Sequence, residues 1–167
     1  MPEPARIVVT VDGAGWRRAV PRAAALCRRT ALAALAAAGA PSAVEASILL
    51  TDDATVRELN GRYRDRDAPT NVLSFPQQDG TAVAPAPDGG HALLGDVVVA
   101  FETVRDEAAR DGKRIADHLC HMIVHGMLHL LGYDHQSDAE AERMEHLEVD
   151  ILASLGIGSP YVDRLAS

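Results

Sequence analysis

Lysine is nearly missing from this 167-residue chain: Lys113 stands alone against fifteen arginines. A GC-rich genome produces such a bias, so the arginine count by itself is weak evidence for nucleic-acid binding. Cysteine is scarce too. Cys27 and Cys120 lie far apart, and two cysteines do not make the disulfide framework of a small secreted protein. They read as reduced core thiols, because a free cysteine behaves as a small hydrophobe. Aromatic residues make up 4%, so a core has to be built from Ala, Leu, Val and Ile. Long apolar runs are absent: ALAALAAAGA (31–40) is too short and too weakly hydrophobic to span a membrane. The N-terminal MPEPARIVVTVDG has no apolar stretch of signal-peptide length. A soluble, cytoplasmic protein with no membrane partner is expected.

Excess positive charge is also missing. The net charge of −8 argues against a simple nucleic-acid binder. The average conceals a split, because residues 1–66 carry +3 and residues 67–167 carry −11. A local cationic surface survives inside an acidic protein, although solvated helix faces explain the same split.

What is present is globular. The length suits one domain over 1–167, since domains run roughly 100–200 residues, and 47% of residues are apolar. Four short β-branched stretches read as strands, at 5–11, 46–51, 71–75 and 93–100. A helix is expected over 16–38, with Pro21 in its first turns and Gly39 as its stop. Asp52 and Asp53 offer an N-cap for TVRELNGRYR (55–64). Further helices are expected over 102–110, from Arg114 to Gly132, and from the capping box SDAE (137–140) to Leu155. Met144, Leu147, Ile151 and Leu155 mark the core face of the last one. The stretch QQDGTAVAPAPDGGHA (77–92) reads as a long loop. The pattern is α+β, a small mixed sheet with helices packed on it.

Chemistry concentrates in HGMLHLLGYDH (125–135). Residues four apart on a helix lie about 40° apart around the axis, so His125 and His129 face the same way. Gly132 can take the left-handed conformation that ends a helix and turns the chain back, which brings His135 toward the same point. Three neutral nitrogens with an open fourth position make a catalytic zinc pattern, distantly metzincin-like. Yet Gly126 stands where such proteases carry a general-base glutamate. Zinc-bound water has a pKa near about 7 without help, but peptide cleavage must also protonate a poor amine leaving group. Phosphodiester cleavage instead needs positive charge on non-bridging oxygens, which guanidinium supplies. Gly126 therefore tilts the site from peptides toward phosphates. Asp134 either orients a ligand imidazole or caps the turn. His118, His121 and His146 fall outside the ligand spacing and read as structural, with His121, one turn before His125, a candidate support for the ligands. Arg62, Arg64 and Arg66 alternate with Asp65 and Asp67, a pattern that also suits a salt-bridged surface loop.

HGMLHLLGYDH, YRDRDAPTNVLSFP, LLGDVVVA and AERMEHLEVDILASLG together resemble the YbeY family of bacterial rRNA maturation factors, over roughly residues 46–156. The resemblance implies a four-stranded mixed sheet with the zinc on a helix. It implies a single-strand-specific, metal-dependent endoribonuclease acting in 16S rRNA 3′-end maturation and ribosome quality control. It places Zn²⁺, one per chain, on His125, His129 and His135, and the family's functional arginine on Arg64. Arg62 and Arg66 remain as candidate RNA contacts. The implied partners are single-stranded RNA and the 16S precursor, the small ribosomal subunit, ribosomal protein S11 and the GTPase Era. Two other readings stay open: a ribosome-associated protein whose zinc is architectural, and a metalloprotease with the same ligand spacing.

Overall fold

The computed structural model describes residues 4–41, 43–64, 70–77, 90–134 and 136–161. Ten elements follow in order: β1 Arg6–Val11, α1 Ala14–Ala19, α2 Ala23–Ala37, β2 Val44–Thr51, α3 Asp53–Arg64, β3 Val72–Pro76, β4 Ala92–Ala100, α4 Phe101–Arg110, α5 Ile115–Leu130 and α6 Asp138–Ser154. The four strands form one sheet in the order β1-β2-β4-β3. β1, β2 and β4 run parallel, and β3 is antiparallel to β4. The sheet is therefore mixed, as expected.

One expectation fails. The helix anticipated over 16–38 is two helices, α1 and α2, separated at Val20–Arg22. Pro21 is the cause. Its ring disfavours the helical region for the residue before it, and Val20 leaves the helix at φ −134°, ψ 84°. The break has a use. α1 turns Trp16 into the core at 1% exposure, where its indole N–H donates to the Thr51 carbonyl at 2.9 Å. The ring meets Phe101 edge-on at 5.1 Å between centroids.

The main core lies between the sheet and a layer in which α2 and α5 pack together. Ile48, Leu50, Val97 and Val99 from the sheet meet Leu119, Ile123, Met127 and Leu128 from α5. The aliphatic composition is thus used as the sequence suggests. Cys27 and Cys120 are both buried and unbridged in this layer. Burial, with Cys120 nearby, pushes the Cys27 thiol up to about 12, so it stays a neutral apolar filler. The other sheet face holds a smaller cluster of Val56, Leu73, Val98 and Ala100.

Two caps read from sequence are in place. Asp52 Oδ1 accepts from the Thr55 backbone N–H at 2.8 Å, and Ser137 Oγ accepts from Glu140 N–H at 3.1 Å. Ser137→Ala is expected to cost about 0.5–2 kcal/mol, measurable as a lower midpoint in urea unfolding. An unchanged midpoint would mean that α6 is held by packing alone.

Candidate metal site and cleft

α5 is the element that builds the site. His118, His121, His125 and His129 follow one another at three- and four-residue steps, so their rings form a file along one side of the helix. Successive ring centroids are 6.0, 6.5 and 4.5 Å apart. At the C-terminal end of the file, Nε2 of His125 and Nε2 of His129 lie 3.0 Å from each other.

The helix then stops as the sequence implies. Gly132 has φ 96°. Its N–H donates to the His129 carbonyl at 3.1 Å, and Tyr133 N–H donates to the Leu128 carbonyl at 3.0 Å. Those two bonds are the Schellman arrangement that a left-handed glycine permits. The chain doubles back, and Gly132, Tyr133 and Asp134 form one wall of a cleft of about 510 Å³. Thr70, Asn71, Val72, Ser74 and Pro76 form the opposite wall, and His125 and His129 also line the cleft. A larger hollow of about 760 Å³ shares Gly132, Tyr133 and Asp134 but contains neither imidazole, so the smaller cleft is the one with the chemistry.

Gly126 explains itself here. It faces the sheet. A Cβ at this position would sit 2.7 Å from Val97 Cγ1 and 3.3 Å from Ser74 Oγ. Ser74 Oγ–H donates to the Gly126 carbonyl at 3.2 Å, which ties α5 to β3. The residue is a close helix–sheet contact with no room for a side chain unless Val97 moves.

Sequence reading missed the carboxylate behind His125. Glu148, on α6, is 1% exposed. Its Oε1 accepts from His125 Nδ1 at 2.8 Å, and its Oε2 accepts from the Tyr161 hydroxyl at 2.8 Å. His121 Nε2 lies 3.4 Å from the same Oε2. Burial on its own would raise the pKa of this carboxyl. The hydrogen bonds from His121 and His125, with their charge, outweigh burial and hold it at about 2. One signal was available: Glu148 lies on the stripe of Met144, Ile151 and Leu152, all buried, and an acid within an apolar stripe needs partners.

A second pair, buried at His118 and half-buried at Glu107, supports the far wall. Glu107 Oε1 lies 2.9 Å from His118 Nε2 and accepts from Asn71 Nδ2 at 3.1 Å. Burial holds the His118 imidazole below its usual range despite Glu107. His118 is thus paired with Glu107 and does not line the His125–His129 cleft. His121 belongs to the Glu148 cluster, and His146 is exposed, 3.9 Å from Glu142.

The expected site residues are only partly brought together. His125 and His129 meet at the cleft. His135 lies outside the described residues. Arg64 ends α3, and its side chain also lies outside them, as do Asp65, Arg66 and Asp67. Arg62 is exposed and paired with Glu58 at 2.9 Å, which suits the surface reading of that position. Among the described residues, no group of three His, Cys, Asp or Glu side chains is gathered so as to hold a metal ion. The pair that is visible nonetheless fits zinc. Two nitrogens at about 2.0–2.1 Å from one tetrahedral ion would be roughly 3.3–3.4 Å apart, close to the observed 3.0 Å.

Comparison with known proteins gives concordant results. A family model described as "Endoribonuclease YbeY" matches residues 16–156. A protein of that name from Paramagnetospirillum magneticum is 52% identical over 159 residues, covering 95% of this chain and 96% of its own. Another, from Azorhizobium caulinodans, is 51% identical over 158 residues, covering 93% and 95%. The solution structure of a Thermotoga maritima protein aligns at TM-score 0.52 and 20% identity, over 90% of this chain and 91% of that one. This last likeness concerns the fold alone.

Proposed function

The chain belongs to the YbeY family of endoribonucleases, and from that premise we propose that it cuts single-stranded RNA at a zinc ion held by His125, His129 and His135. RNA is the substrate that the family activity requires. Processing of the 16S rRNA 3′ end and ribosome quality control, in the cytoplasm, are the proposed setting. The small ribosomal subunit, ribosomal protein S11 and the GTPase Era are the proposed partners. Among the described residues, no helix is long and apolar enough to cross a membrane.

The observation that carries the reading is the 3.0 Å approach of the His125 and His129 Nε2 atoms in a cleft of about 510 Å³. That volume lies within the usual range for a ligand site, about 300–1,000 Å³. Gly132 reverses the chain after His129, and His135 is proposed as the third ligand. Bound zinc would lower the pKa of a coordinated water to about 7 and polarise a phosphoryl oxygen. The remaining work falls to the chain. Asn71 and Ser74 line the same cleft, where their donors tie its wall to Glu107 and to the Gly126 carbonyl. Arg64 is assigned the charge that builds on the non-bridging oxygens. Protease chemistry is disfavoured, because the position of the missing glutamate is filled by the sheet contact at Gly126.

The test is cleavage of a short single-stranded RNA by protein of verified zinc content, after chelation, and after zinc is restored. Loss on chelation and recovery on reloading are expected. Zinc-loaded protein that cuts nothing, and that unfolds on chelation, would establish the architectural reading instead.

A further inference from the structure

Three residues that do not line the His125–His129 cleft, Glu148, Tyr161 and His121, stand behind His125. A histidine can hold a metal through Nε2 only while the proton sits on Nδ1. In the neutral ring either nitrogen can carry it. His125 therefore needs an acceptor behind it. The acceptor is Glu148, whose Oε1 lies 2.8 Å from His125 Nδ1. A carboxylate accepts and does not donate, so this contact puts the proton on Nδ1 and leaves the Nε2 lone pair toward His129 and the cleft. Glu148 is itself held. Tyr161, beyond the end of α6, donates its hydroxyl to Oε2 at 2.8 Å, and His121 closes on the same oxygen at 3.4 Å. The carboxylate is buried among these partners, so it has little freedom to move away.

We infer that Glu148, fixed by Tyr161, is a positioning residue that locks His125 in the Nδ1–H form with Nε2 offered to the metal. The inference rests on the zinc reading of His125 and His129, and it assigns the last helix and the segment after it a part in metal affinity. Outer partners of metal-bound imidazoles are typically worth about 10–100-fold in affinity. Glu148→Ala removes the acceptor and should weaken zinc binding about 100-fold, toward the top of that range. Glu148→Gln keeps one oxygen that can accept from Nδ1, so it should weaken binding about tenfold and partly restore what alanine loses. Tyr161→Phe leaves the acceptor in place, and its loss should be smaller than that of Glu148→Gln.

The experiment uses the full chain, zinc, and a competing chromophoric chelator. The ¹⁵N imidazole spectrum of His125 is recorded on the metal-free protein. Expected are the graded affinities above, an Nδ1–H tautomer in the wild type, and a shift toward Nε2–H in Glu148→Ala. Should the alanine variant not fold, Glu148→Gln carries the same comparison. Equal zinc affinity in wild type and both Glu148 variants would overturn the inference, as would an Nε2–H tautomer in the metal-free wild type. A wild type that binds no zinc yet shows the Nδ1–H form and its loss in the variant would overturn the zinc reading and leave the positioning intact.

Discussion

His129→Ala is expected to abolish zinc binding and RNA cleavage together, whereas Arg64→Glu is expected to abolish cleavage and leave zinc in place. The first removes one of the two nitrogens seen to converge at 3.0 Å. Two remaining ligands do not make the three-ligand open site that a catalytic zinc requires. The second acts on charge. Removing one group that stabilises transition-state charge costs about 10²–10³ in rate, and reversing its sign adds repulsion of the phosphate, so cleavage should fall below detection in an ordinary gel assay. Arg64 ends α3 and is not one of the metal ligands, so zinc content should be unchanged. Both variants need identical purification beside wild type, with metal content and cleavage of one single-stranded RNA measured on the same samples. Normal cleavage by Arg64→Glu would remove that residue from the mechanism. Normal cleavage by His129→Ala would remove the metal from it.

Gly126→Glu restores the written pattern of a zinc protease, and the expected result is a chain that does not fold stably. The reason is contact, not chemistry. A Cβ at 126 meets Val97 Cγ1 at 2.7 Å and Cγ2 at 3.1 Å. Gly126→Ala isolates that term. Alanine gains about 0.5–1 kcal/mol of helix propensity over glycine, and overpacking costs about 1–3 kcal/mol, so a net loss of about 1 kcal/mol follows. Glutamate adds an uncompensated buried carboxylate, which costs several kcal/mol more. Val97→Ala relieves the contact, so the pair Gly126→Ala with Val97→Ala should lose less than the sum of the single losses. Urea unfolding of the four proteins measures the cycle. Gly126→Ala matching or exceeding wild-type stability would show that α5 can move off the sheet at no cost.

Several elements were legible because their cause is local. Ser137 and Glu140 meet as a capping pair because both belong to one turn. Gly132 reverses the chain because only its own φ is needed. His125 and His129 converge because helix geometry places residues four apart on one face. The break between α1 and α2 was equally local, and reading Pro21 as part of one helix overlooked its effect on Val20.

What the sequence by itself determined is the alternation of strands and helices, the aliphatic core and the His125–His129 pair with its turn. Each follows from spacing within about a dozen residues. Only the tertiary structure decided what Gly126 and Glu148 are for. Gly126 reads as a missing base until β4 brings Val97 against it. Glu148 is an acid within the apolar stripe of α6 whose partners appear only when α5 sets His121 and His125 on it and the chain returns with Tyr161. The partners of these two residues lie 13 to 52 positions away. Contact at that range is fixed by how the elements pack, and no periodicity in the sequence encodes it.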